Sequence, residues 1–266
     1  MDFERAKVDK VGRVGVLTLN HPEVMNAVSP EMLNGLISAM TYIERPDSGI
    51  RALVFTGTGR GFCAGANLSG GPSSGAFKPE ERDAGAALET MYHPFLRRLR
   101  NLKIPLVTAV NGAAAGVGMS FALMGDMILA SKSAYFLQAF RRIGLVPDGG
   151  STWLLPRLVG SARAKELSLL GEKLSADKAL EWGLINRVYD DADLMPQAMT
   201  LAEELASGPT VALGLIRQLY WQSPHHTYEE QLDAERQAQK IAGRAEDFTE
   251  GVSAFLQKRK AEFKGR

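Results

Sequence analysis

Apolar residues fall along this chain in two alternating rhythms. Continuous runs at 13–19, 51–57 and 105–110, with a further candidate at 126–130, are short and rich in β-branched residues. Runs of that length bounded by Gly, Pro or Asn predict buried strands. Between them the apolar spacing lengthens. Met32, Leu36, Ile37 and Met40 recur at helical intervals after Ser29-Pro30-Glu31, which offers an N-cap followed by proline at the first helical position. The pattern predicts helices to about residue 44, over about 80–102 and near 117–124. Strand and helix thus alternate through the first half, as in an α/β unit with much parallel pairing. After Gly160 the pattern turns mostly helical, at about 161–170, 175–182, 190–206, 209–222, 227–241 and 246–262. That change places a division near residue 200, between a core over 1–200 and a helical region over 201–266. The Gly- and Ser-rich stretch 69–77 reads as a mobile loop.

Two of the strands break into turns with almost no side-chain bulk. One runs through Cys63-Ala64-Gly65-Ala66-Asn67, the other through Ala113-Ala114-Ala115-Gly116-Val117-Gly118. Neither carries a metal-ligand cluster or a phosphate-loop lysine. Both offer bare backbone N–H groups, and two such turns brought together would make an oxyanion hole. Val117 also opens the helix near 117–124, whose first N–H groups lack intrahelical acceptors and whose dipole favours an anion. The same residues would equally serve as tight-packing turns at sheet ends.

Composition narrows the function classes. A formal charge of +1 over 266 residues gives no electrostatic reason to expect nucleic acid or an anionic membrane as partner. The single cysteine, Cys63, rules out an internal disulfide and suits a reducing compartment. The segment Met1-Asp2-Phe3-Glu4-Arg5 is charged from the start, and no apolar run reaches membrane-spanning length, so the expected location is cytoplasmic. The four histidines form no metal pattern. His93 reads as packing or lining, and His225-His226 as an exposed loop or helix start. Asp148 stands before Gly149-Gly150-Ser151-Thr152 and an apolar helical run, the pattern of an N-cap. Phe248, Val252 and Phe255 make a stripe at helical spacing, and Lys258-Arg259-Lys260 a basic face.

Three stretches resemble the crotonase (enoyl-CoA hydratase/isomerase) superfamily. They are Leu19-Asn20-His21-Pro22-Glu23 with Asn26-Ala27, Gly61 through Leu68, and Val110 through Gly118. The resemblance implies a crotonase-like spiral of β-β-α turns with a helical C-terminal trimerisation region, in trimers or dimers of trimers. It implies that the Ala66 and Val117 N–H groups hold the carbonyl oxygen of an acyl-CoA thioester. Val24 and Ala64 match positions whose backbone lies along CoA. Phe255 and Lys258 match an aromatic and a lysine that approach its nucleotide end, often from a neighbouring subunit. No metal, flavin or nicotinamide is implied; CoA enters with the substrate. Asn67 stands where the family often has Asp.

Hydratases of that family place two glutamates in the site, at positions that are Ser120 and Phe140 here. Water addition generally needs one group to activate the water and another to handle the α-proton. One acid remains, Asp148, where family isomerases carry their carboxylate, and the stretch 140–160 resembles the ring-epoxide isomerases of that family. A double-bond shift needs only one shuttling base, and an apolar wall such as Phe140 would raise its pKa. The expectation is an acyl-CoA isomerase. A hydratase-like enzyme and an acyl-CoA-binding member without catalysis are the alternatives.

Overall fold

Two sheets organise the chain in the computed structural model, which describes residues 1–68 and 83–266. In order the strands and helices are β1 (Asp2–Phe3), β2 (Ala6–Val11), β3 (Val14–Leu19), α1 (Pro30–Ile43), β4 (Ala52–Gly57), β5 (Gly61–Cys63), α2 (His93–Asn101), β6 (Leu106–Val110) and β7 (Ala113–Ala115). They continue with α3 (Val117–Ala122), β8 (Met127–Ser131), β9 (Tyr135–Leu137), α4 (Ser151–Leu170), β10 (Lys173–Ser175), α5 (Ala176–Glu181) and β11 (Arg187–Tyr189). The remaining helices are α6 (Leu194–Ser207), α7 (Thr210–Gln222), α8 (Tyr228–Ala242) and α9 (Glu246–Leu256). The large sheet runs β1-β2-β3-β4-β6-β8-β11 and the small one β10-β9-β7-β5.

Three times the chain passes through a strand of the large sheet, then a short strand of the small sheet, then a helix: β4-β5-α2, β6-β7-α3 and β8-β9-α4. Within each sheet these strands pair in parallel. This is the spiral of β-β-α turns that the resemblance implies. The interior strands β3, β4, β6 and β8 of the large sheet are buried on both faces, which explains their apolar runs. From β4, Leu53 and Phe55 join one core with α1, α2 and α3, while Ala52 and Val54 face a second core closed by Ala198, Leu201 and Ala202 of α6. Phe55 meets Phe62 edge-on at 5.3 Å between ring centroids, and Phe95 meets Phe121 at 5.2 Å. Such pairs contribute about 0.5–1.5 kcal/mol beyond their burial.

Several expected elements shift. The helix expected over about 80–102 lies partly outside the described residues; within them the chain turns helical at Ala86, passes through a π-helical turn over Leu88–Tyr92 and leads into α2. The expected loop at 69–77 lies outside them altogether. The helix expected at 161–170 is the second half of α4. Gly160 (φ +79°, ψ 160°) breaks the helical geometry between two helical stretches, the first of which starts at Ser151. The last helix ends at Leu256 rather than near 262, and Lys258 beyond it adopts a left-handed conformation (φ +54°). Among the described residues no helix is long and apolar enough to cross a membrane.

Candidate active site

The two turns singled out in the sequence lie side by side because β5 and β7 are neighbours, with Gly61 opposite Ala113 and Cys63 opposite Ala114. Gly116 has φ +53° and ψ −127°, a backbone shape closed to other residues. A Cβ built on Gly116 would stand 3.8 Å from Gly65 Cα and 3.8 Å from Phe140 Cζ. The two turns and the Phe140 ring therefore share one small space.

The backbone around Ala66 is paired on one side only. Val28 N–H donates to Gly65 O (2.7 Å), and Asn67 N–H donates to Val28 O (2.7 Å). Those two bonds face Val28, and alternation along the extended segment turns the Ala66 N–H the other way. Among the described residues no hydrogen bond from the Ala66 N–H to a loop, turn or side-chain acceptor is found. Val117 is the first residue of α3, so its N–H has no intrahelical acceptor; the Gly116 carbonyl instead receives Met119 N–H (3.0 Å) and Ser120 N–H (3.3 Å).

Asp148 lies against the same helix. Its backbone carbonyl accepts the Ser120 hydroxyl (2.9 Å), the Ser151 hydroxyl (2.8 Å) and Ser151 N–H (3.1 Å). A Cβ built on Gly149 would come 2.7 Å from Ser120 Cβ and 3.5 Å from Val117 Cγ2. Ser120, fully buried, thus anchors the Asp148 loop. The side chain of Asp148 is not a helix cap: the N-cap position of α4 is Gly150, with no side-chain cap bond. Instead Oδ1 is buried, with no hydrogen-bond partner among the described residues. Burial pushes this carboxyl from 3.8 up to about 6.

Tyr92, at the end of the π-helical turn, was not foreseen as part of this neighbourhood. Burial pushes its phenol up to about 12, with the charges of Asp148 and Cys63 adding to the effect. The signal in the sequence was Pro94, which cannot continue the hydrogen-bond ladder and helps to set the irregular turn before it. Cys63 is buried and its thiol is pushed up to about 12, so it is a packing residue with no thiolate to offer. His93 lines a cavity of about 350 Å3 with Met124, Gly149, Gly150 and Trp153. His225 stacks on Trp153 at 5.6 Å.

The CoA-side candidates divide. Val24 is exposed on a short 3-10 turn, Pro22–Val24, and Ala64 N–H donates to Met25 O (3.0 Å). Asn26 fixes this corner: its Oδ1 accepts His21 N–H (2.8 Å), and its Nδ2 donates to Thr58 O (2.9 Å) and Gly61 O (2.8 Å). Val24 and Ala64 thus flank the first turn. Phe255 is 83% exposed and shares a groove with Phe248, Val252 and Phe263 that contains no residue of either turn. Within the single chain that groove does not bring Phe255 to Ala66 and Val117, and Lys258 follows the end of α9. Among the described residues no three His, Cys, Asp or Glu side chains gather as a metal site.

A stacked β-β-α spiral whose small sheet ends in two open backbone turns defines a crotonase-type protein. The family model described as Enoyl-CoA hydratase/isomerase matches residues 9–266, and the chain belongs to that family. It is 46% identical to the 1,2-epoxyphenylacetyl-CoA isomerase of Escherichia coli K12 over the full length of both chains. It is 34% identical to the 2,3-dehydroadipyl-CoA hydratase of the same organism, covering 97% of this chain and 98% of the relative. The crystal structure of an enoyl-CoA hydratase from Bacillus anthracis superimposes with a TM-score of 0.90 at 30% identity, covering 98% of this chain and all of that one.

Proposed function

We propose that the chain is an acyl-CoA isomerase that shifts a double bond, or rearranges a ring epoxide, through a thioester enolate. In the double-bond shift, the Asp148 carboxylate takes a proton from C2 of a 3-enoyl thioester. The electrons move into the thioester carbonyl, giving a dienolate whose oxygen accepts the Ala66 and Val117 N–H groups. The proton then returns to C4, leaving a 2-enoyl thioester and the carboxylate as it began. Loss of one such donor typically costs ~3–4 kcal/mol of transition-state stabilisation.

The observation that carries this reading is the buried Oδ1 of Asp148, without a hydrogen-bond partner among the described residues, on a loop whose Asp148 carbonyl accepts the Ser120 hydroxyl and whose Gly149 packs against Ser120 and Val117. A carboxyl titrating near 6 is ionised at neutral pH yet more basic than an exposed one, as a proton shuttle requires. Ser120 and Phe140 leave no second acid at the hydratase positions. The 46% identity to an isomerase acting on an epoxyphenylacetyl-CoA supports the same branch and extends the substrate class to aromatic thioesters. A hydratase-like activity is the second reading, supported by the 34% identity to a 2,3-dehydroadipyl-CoA hydratase.

Purified protein offered a 3-enoyl-CoA, a 2-enoyl-CoA and 1,2-epoxyphenylacetyl-CoA separates the two. The proposal expects turnover of the first or third, with kcat/KM rising through about pH 6 to a plateau. Fast hydration of the 2-enoyl-CoA, with neither isomerisation, sinks it. Acyl-CoA binding without turnover of any of the three marks a member without catalysis.

A trimer or dimer of trimers belongs to the same proposal. It is supported by the apolar residues Phe248, Val252, Phe255 and Leu256 on α9, which stay exposed among the described residues. Sedimentation equilibrium is expected to give three or six times the 28.9 kDa chain mass; a monomer at micromolar concentration contradicts it.

A further inference from the structure

A cationic cavity opens at the other end of β4 from the turn that leads into β5. It encloses about 530 Å3 where the β2–β3 hairpin, the start of β4, the start of α7 and residues 264–266 meet. Arg13, Arg51, Lys264 and Arg266 line it with Gly49 and Thr210, and no aspartate or glutamate does. Lys10 reaches the same rim: its Nζ lies 3.0 Å from where a Cβ on Gly49 would stand. For a chain of net charge +1 this is a steep local concentration of one sign.

Arg51 is the built part of this cavity. It is 8% exposed, and its donors go to neutral acceptors: Nε to Thr210 Oγ1 (2.6 Å), Nη1 to Phe263 O (3.0 Å) and Nη2 to Gly208 O. A guanidinium carries five N–H groups, so two remain beyond these three bonds. No carboxylate among the described residues lies within ion-pair distance of it. Asp247 is the acid whose charge reaches Arg51, but its oxygens already accept Lys264 N–H (2.6 Å) and Gly265 N–H (2.8 Å). Burial, with Arg13 repelling it, pushes the Arg51 pKa down.

The surrounding groups add to the deficit of negative charge. Arg266 pairs with Glu246 at 3.2 Å, whereas Arg13, Lys10 and Lys264 make no ion pair among the described residues. The 13-residue helix α7 begins at Thr210 with no side-chain cap, so its positive end faces the same space. A buried charge surrounded by neutral acceptors and like charges is costly unless an anion joins it.

We propose that this cavity binds a diphosphate-bearing anion. Forked guanidinium groups and a helix N-terminus match phosphate oxygens, and the volume exceeds what one phosphate fills. Free pyrophosphate and the diphosphate of a nucleotide share that chemistry. The site is separate from Ala66 and Val117, so its ligand modulates or anchors the protein without competing for the acyl group.

Isothermal titration at fixed ionic strength, with pyrophosphate, ADP and inorganic phosphate as separate probes, tests it. Saturable 1:1 binding of pyrophosphate or ADP is expected. It should weaken at least about tenfold in Arg13→Gln/Lys264→Gln, whose changed residues are exposed and leave the fold intact. The pair Phe255→Ala/Lys258→Ala should leave it unchanged. ADP binding more tightly than pyrophosphate identifies a nucleotide as the ligand; equal affinities identify the inorganic anion. No heat beyond the chloride control, or binding that survives Arg13→Gln/Lys264→Gln, overturns the proposal.

Discussion

Asp148→Asn is expected to lower isomerisation by about 10²–10⁴-fold while making the protein more stable at pH 8. The two effects have one origin. Oδ1 is buried without a partner among the described residues, so the folded protein resists its negative charge and the carboxyl holds its proton up to about pH 6, against an ordinary value of 3.8. Between those values the native state binds more protons than the unfolded one, so stability falls as pH rises, and the full deficit is present above pH 7. Asparagine carries no charge and removes this deficit, ~3 kcal/mol from the shift alone and about 2 kcal/mol once solvent screening of the partly exposed side chain is allowed for. Its advantage should therefore shrink towards zero as pH falls to about 4. Chemical denaturation at pH 8 and pH 4.5, alongside steady-state rates, measures both. An Asn variant that is slower and also less stable at pH 8 would mean that Asp148 holds the loop together, and the proton-shuttle role would lose its physical basis.

The second large effect concerns stability alone. Arg217→Ala is expected to cost about 3–5 kcal/mol, read as a lower denaturation midpoint. Arg217 is 5% exposed and staples α7 to two other elements. Its Nε donates to Asp126 Oδ2 (2.7 Å), and its Nη groups donate to Leu99 O (2.7 Å), Arg100 O (2.6 Å) and Leu102 O (3.1 Å), around the end of α2. Asp126 also accepts Leu106 N–H (2.8 Å) at the start of β6. Truncation leaves these carbonyls without a donor and Asp126 without its counter-charge. Burial already raises the Asp126 pKa although Arg217 opposes it, so the unpaired carboxyl would take up a proton at higher pH still. The pair Asp126→Asn/Arg217→Met, which removes both charges, should recover part of the loss. Equal stability of Arg217→Ala and the parent would show that the network is dispensable.

The sequence exposed what local chemistry determines. Ser29 does cap α1, and β3, β4, β6 and β8 stand where continuous apolar runs predicted them. The short strands escaped because their pairing is tertiary. Ala113-Ala114-Ala115 has no strand propensity of its own and becomes β7 only between β5 and β9. β2 escaped for another reason: Ala6-Lys7-Val8-Asp9-Lys10-Val11 lies near the sheet edge with a polar face, and its signal is weaker than that of the interior strands. At the candidate site, small residues marked Gly65-Ala66 and Gly116-Val117 in advance. The environment of Asp148 could not be read in the same way. The pattern Asp-Gly-Gly-Ser-Thr signals a cap, and only the fold shows that Ser120 and Ser151 hold its carbonyl while Oδ1 of the carboxyl finds no partner among the described residues. Tyr92 is fifty-six residues away in sequence, and no local pattern joins it to Asp148.

The threefold passage β4-β5-α2, β6-β7-α3, β8-β9-α4 carries a consequence for how such a protein can change. In the first two passages the bare turns at Ala66 and Val117 follow the small-sheet strand, and in the third Phe140 and Asp148 lie between that strand and the helix. On the proposed reading, the groups that steady negative charge belong to two units and the groups that move protons to another. Ser120 couples them by a single hydroxyl bond to the Asp148 carbonyl. Substitution in the third unit can therefore redirect the reaction while the apparatus for the thioester stays intact. Relatives bearing the names of isomerases and hydratases fit a backbone on which acids can be placed at 120 on α3, or at 140 and 148 in the third unit, around the same pair of turns.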